Sequence, residues 1–161
     1  MTSETQLKES ETMERKPKSF ARHLPAVARV LMGLAFLVFG LNGFLNFIPP
    51  PKTPMPEGAG AFAGALMKTG YMFPIIMGTQ LLVGVLLLLN RFVPLALVLI
   101  MPILVNIIAF HLFLQPAGIG PGAFLLALDL YLAWVYRRAY LPMLAMRVKP
   151  GAERMTNYGK R

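Results

Sequence analysis

Cysteine is absent from this chain of 161 residues. Disulfide frameworks, thiol relays and cysteine-ligated metal or iron–sulfur centres are therefore excluded. Histidine is scarce too, with His23 and His111 the only two. They fall on opposite sides of the apolar region, so bis-histidine haem ligation is not expected. No second His, Asp or Glu stands at ligand spacing around His111, and no metal site is expected. Charge is the scarcest commodity in the middle of the chain. Of the 16 basic and 7 acidic residues, all but five lie in positions 1–29 and 137–161. Only 14% of the chain is charged, against about one quarter in soluble domains. Such a middle cannot cover itself with a polar surface.

Apolar residues fill the space. The chain is 56% hydrophobic with a mean hydropathy of +0.58. Spanning a bilayer takes about 20 mostly apolar residues. Four runs qualify: 30–48, 71–89, 92–114 and 117–136. The first ends at the Pro49–Pro51 stop, where no helix continues. The second and third are separated by Asn90 and Arg91. The fourth begins loosely at Gly118, Gly120, Pro121 and Gly122. The sequence thus predicts an all-α, four-transmembrane-helix bundle. The membrane domain covers 25–140, behind a disordered leader of mixed charge at 1–24 and ahead of a basic tail at 141–161. No cleaved signal peptide is expected, because the first span lies behind a polar leader without a small-residue cleavage site.

The net charge is +9. With four spans, both termini and the 90–91 turn share one side. That side collects every Lys and Arg except Lys52 and Lys68, which places it in the cytoplasm by the positive-inside rule. The basic tails then follow from topology and anionic headgroups, and no nucleic-acid partner is expected. In the outer loop, Ala59, Phe62, Ala63 and Leu66 form one stripe of a short helix. It is expected to be an interfacial or re-entrant helix that caps the outer mouth.

Polar side chains inside the spans need explaining, since a mid-bilayer charge costs about 2.5–3.5 kcal/mol on insertion scales. At about 1.5 Å rise per residue, Asn42, Gln80, Asn106 and Asp129 each fall within about 5 Å of the midplane. Asn46 and His111 form a shallower layer nearer the outer surface. Two readings stay open. The polar layer fixes helix register through interhelical hydrogen bonds, or it lines an outward cavity for a polar head such as a quinone ring, or for a proton. Asp129 is the single carboxylate among these groups, with Gln80, Asn106 or Asn42 as its expected partners. The glycines at 33, 40 and 84 are expected to serve close helix packing. Pro94 and Pro102 are expected to bend the third span. Tyr131, Trp134, Tyr136 and Tyr140 suggest an aromatic belt. Four spans without a repeat of broken helices leave little room for alternating-access transport.

The order of these motifs resembles the DoxX-like family of small four-helix membrane proteins. The first span carries R-x3-G-x2-F-x3-G at Arg29, Gly33, Phe36 and Gly40, followed by G-L-N-G-F-L-N-F-I-P-P-P. The others carry G-T-Q-L-L-V-G at 78–84, N-I-I-A-F-H at 106–111 and L-D-L-Y-L at 128–132. The resemblance implies a left-handed four-helix bundle in the bacterial cytoplasmic membrane. It also implies an accessory role in a membrane redox or quinone-linked assembly, since the family is named for a small subunit of a thiosulfate:quinone oxidoreductase. The chain departs from the family at Gly43, where many relatives carry lysine, and at Gln80, where many carry an acid. Asp129 stands where glutamate is frequent. No reaction transfers with the resemblance. A quinone is the cofactor it suggests, and a membrane or extracytoplasmic redox protein or a second copy of the chain are the partners.

Overall fold

The computed structural model describes residues 20–49 and 53–144. The leader before Phe20, the tail after Leu144 and the loop at 50–52 lie outside the described residues. Five α-helices follow in order: α1 (Phe20–Leu45), α2 (Glu57–Lys68), α3 (Met72–Leu88), α4 (Val93–Phe113) and α5 (Ile119–Val135). Short 3-10 turns at Pro116–Gly118 and Arg137–Ala139 flank α5, and no strand occurs among the described residues.

Segments within α1, α4 and the Pro116–Val135 stretch are each long and apolar enough to cross a membrane. The 17-residue α3 is shorter, about 26 Å at the usual rise. It qualifies together with α2, to which it is joined by a bend of 90°. The outward faces fit this reading. Leu31, Leu34, Val38, Leu82, Leu95, Val98, Val105, Phe124 and Leu130 are all exposed. A soluble domain would bury such a surface; a bilayer solvates it.

α1 starts ten residues before the apolar run does. Apolarity marks only the stretch that needs lipid, and the helix formers Ala21, Arg22 and Leu24 carry the helix outward beyond it. The last five residues of the expected leader are therefore helical. At the other end α1 stops at Leu45, before the prolines. Asn46 takes a left-handed conformation with φ 50°, a common way to end a helix. Its N–H still bonds the Asn42 carbonyl at 2.8 Å.

The α2–α3 bend is made by Thr69 and Gly70. The Thr69 hydroxyl donates to the Leu66 carbonyl at 2.7 Å and accepts from the Met72 N–H at 3.1 Å. One side chain thus closes α2 and opens α3. Gly70 supplies the positive φ of 73° that the corner requires.

α1 and α3 pack most extensively, and α3–α4, α4–α5 and α1–α5 contacts complete a closed cycle. Glycine explains the intimacy of the first pair. A Cβ on Gly40 would lie 2.6 Å from the Leu81 backbone nitrogen, and one on Gly84 2.6 Å from that of Leu37. The two backbones touch through both glycines, as small residues permit in lipid. Arg29 locks the same pair at its other end by donating to the carbonyls of Leu87 and Leu88. In the last turn of α3 the Leu88 carbonyl has no other partner among the described residues, while that of Leu87 also accepts the Asn90 N–H at 3.1 Å. A cation is also favourable at that end of the helix dipole.

The core below is apolar: Met32 and Phe36 of α1, Val83 and Leu87 of α3, Leu97, Ile100 and Leu104 of α4, and Leu125 and Leu132 of α5. Pro94 falls in the first turn of α4, where its missing N–H costs nothing, so only Pro102 interrupts that helix. Of the expected aromatic belt, Trp134 faces outward with the Arg137 guanidinium 4.6 Å over its ring. Tyr131 and Tyr136 turn inward and pack on the core instead.

Candidate functional site

Beside this core all five helices line an open-sided cavity of about 650 Å³. Pro102 lies on its wall, where a proline within α4 removes a ladder hydrogen bond. Phe36, Gln80, Ile103 and Leu125 contribute from the four long helices on the side toward the core. α2 closes the side away from the core. Its stripe faces inward as its spacing predicts, with Ala59 buried and Phe62, Ala63 and Leu66 on the cavity wall. The Phe62 ring meets Phe110 of α4 at 5.7 Å between centroids, and Phe110 meets His111 edge-on at 5.2 Å.

Five of the six polar residues singled out in the sequence line this cavity: Asn42, Asn46, Gln80, Asn106 and His111. Their surroundings differ. Gln80 is buried at 6% exposure, and its side chain makes only a weak contact to the Met77 sulfur at 3.9 Å. Asn106 and Asn46 are exposed, and Asn42 is half-buried. The Asn42 Oδ1 accepts the Ile48 N–H at 2.7 Å, so this amide also holds the chain as it leaves α1. Among the described residues no Lys, Arg, Asp or Glu lines the cavity, whereas five phenylalanines do. It is an aromatic chamber with neutral hydrogen-bonding groups.

His111 is fixed on the wall of this chamber, in the last turn of α4. Its Nδ1 lies 2.9 Å from the Gln115 carbonyl. A carbonyl only accepts, so Nδ1 carries the hydrogen, and the tautomer this selects for a neutral ring has its lone pair on Nε2. Gly118 makes room for the ring: a Cβ there would lie 2.3 Å from Cε1. Sequence reading found His111 but not this glycine, whose role depends on a contact across the α4–α5 turn.

Asp129 stands apart from the other five. It follows Leu125 by one turn on α5, on the core side of the cavity, and is fully buried. Neither carboxyl oxygen has a hydrogen-bond partner among the described residues. The expected pairing with Gln80, Asn106 or Asn42 does not form. Equal depth along four helices does not set the rotation of each helix, and Asp129 faces the packed seam rather than the chamber. Tyr140 lies close enough that burial first, and the charge of Asp129 second, push its hydroxyl above the usual 10.0. That hydroxyl donates to the Pro94 carbonyl at 3.2 Å. No group of three or more potential metal ligands occurs among the described residues.

Fold and site together define a protein of the membrane class, its described residues forming a helical bundle with an aromatic chamber that none of their charged side chains lines. No family model, no curated protein and no solved structure matches the chain.

Proposed function

We propose that this is a DoxX-like four-span protein of the bacterial cytoplasmic membrane, serving as an accessory subunit of a membrane redox or quinone-linked assembly. α1, α3, α4 and α5 are its spans, α2 lies at the outer interface, and both termini are cytoplasmic. The observation that carries this reading is the chamber of about 650 Å³, lined among the described residues by phenylalanines and neutral amides without a single charge. Ligand sites of this size and character, mostly apolar with a few convergent polar groups, suit an uncharged ring. Phe62 and Phe110 would stack on it, and Gln80 and Asn106 would bond its oxygens. A bound quinone supplies reversible exchange of two electrons and two protons. The protein's own groups orient the ring and keep it from bulk water.

The test is mass spectrometry of protein purified in native-lipid nanodiscs. The wild type should carry a quinone that Ala63→Phe, which fills the chamber from α2, excludes. Phospholipid alone in both samples would refute the reading. Orientation is checked separately, because the cysteine-free chain accepts single probes. In intact cells an impermeant maleimide should label Thr53→Cys and leave Arg91→Cys untouched.

One observation favours a second reading, in which the polar residues serve packing alone. Asn42 and Asn46 both have structural work at the end of α1. That reading expects Asp129→Asn to be tolerated, and Asn42→Leu combined with Gln80→Leu to lower the melting temperature in detergent with no ligand to lose.

A further inference from the structure

The arrangement around His111 sets a requirement on whatever enters the chamber. Nδ1 is committed as a donor to the Gln115 carbonyl at 2.9 Å. A neutral imidazole with Nδ1 protonated offers only an acceptor at Nε2. Nε2 has no hydrogen-bond partner among the described residues, and it is not sealed away as the Asp129 oxygens are. His111 itself is on the chamber wall. A carbonyl brought to Nε2 meets lone pair against lone pair, while a hydroxyl meets a partner. Gln80 and Asn106 make no such demand, because a carboxamide both donates and accepts. They line the same chamber, Asn106 lying five residues before His111 on α4, or about 7.5 Å along the helix. That interval is on the scale of one six-membered ring with oxygens at both ends.

We infer that the chamber selects a neutral ring bearing a hydroxyl at its outer end, a hydroquinone or phenol, over the corresponding quinone, and that His111 Nε2 is the acceptor that makes the choice. The inference rests on the chamber being a ligand site. It adds the oxidation state of the ligand and the residue that reads it. The aromatic wall holds either form equally, since Phe62 and Phe110 contact ring faces and carry no hydrogen bond. Discrimination therefore resides in the polar contact alone, and one hydrogen bond of ordinary strength gives roughly a tenfold preference.

The experiment is anaerobic binding to the full chain in nanodiscs, with decylubiquinol, decylubiquinone and the dimethyl ether of decylubiquinol as probes. The wild type should bind the quinol about tenfold more tightly than either of the others. His111→Phe should bind all three alike, at the affinity the wild type shows for the quinone, while His111→Gln should restore part of the preference through its amide oxygen. Melting temperatures of the variants within a few degrees of wild type show that the fold is kept. If a variant unfolds, the preference of the wild type among the three probes still decides. Equal binding of quinol and quinone overturns the selection and leaves the ligand site standing. A preference that survives in a folded His111→Phe variant overturns the role of His111. Binding of none of the three overturns both.

Discussion

Gly118 and His111 occupy overlapping space: a single methyl group on the glycine would lie 2.3 Å from the imidazole Cε1 and 2.6 Å from Nδ1. The glycine is what allows the ring to reach the Gln115 carbonyl. Gly118→Ala should therefore push the ring aside while leaving helix packing intact, because a side chain yields more cheaply than a backbone. The expected result is a melting temperature near that of wild type, with quinol preference lost as in His111→Phe. Retention of the preference would show that the ring position does not matter.

Gly40 and Gly84 meet backbone rather than side chain, so their substitution cannot be absorbed in the same way. Gly40→Ala and Gly84→Ala should each force α1 and α3 apart and destabilise by about 1–3 kcal/mol, the usual cost of overpacking. A methyl group on Gly78 or Gly120 would meet nothing within 4 Å, and alanine there should be neutral or slightly stabilising. Thermal melting in one detergent compares the four directly.

Arg29 bonds the last carbonyls of α3. Arg29→Met keeps the apolar stem and removes the donors, and should cost about 1–3 kcal/mol, chiefly for the Leu88 carbonyl left without a partner. Arg29→Lys keeps the charge but lacks the planar fork, and should recover only part of that loss. Equal stability of all three would mean that lipid headgroups or water satisfy those carbonyls instead.

Asp129 is fully buried with both oxygens unpaired among the described residues. If that carboxyl is held at the expense of stability, Asp129→Leu should raise stability by about 1–3 kcal/mol, since it removes an unsatisfied polar group from an apolar seam. Sites kept at such an expense are commonly functional. A fall in melting temperature would show that the carboxyl stabilises the fold and is not held at its expense.

Much of this architecture is legible in the sequence because lipid imposes a coarse demand. Long charge-free runs bounded by Pro49, Asn90–Arg91 and Gln115–Pro116 mark where the long helices lie. The Ala59–Phe62–Ala63–Leu66 stripe marks the short one, whose wall-facing side is the one its spacing indicates. The site is legible in part for the same reason: polar residues in apolar runs are few, and Asn42, Asn46, Gln80, Asn106 and His111 do meet around one chamber. Asp129 shows what depth alone omits. Rise along an axis fixes a level, while rotation about the axis is set by packing, here by the glycine contacts between α1 and α3 and by the fit of Gly118 against His111. Those contacts join residues far apart in the chain or across a turn, so no local pattern announces them. The inward turn of Tyr131 and Tyr136 has the same origin.

Photolabelling reports occupancy of the chamber most directly. An azido-quinol analogue, irradiated with the full chain in nanodiscs and mapped by peptide mass spectrometry, should mark the segments carrying Phe62 and Phe110–His111. Excess decylubiquinol should compete the label away. Label spread over outward residues such as Leu95, Val105 and Phe124, unaffected by competitor, would contradict a ligand site between the helices.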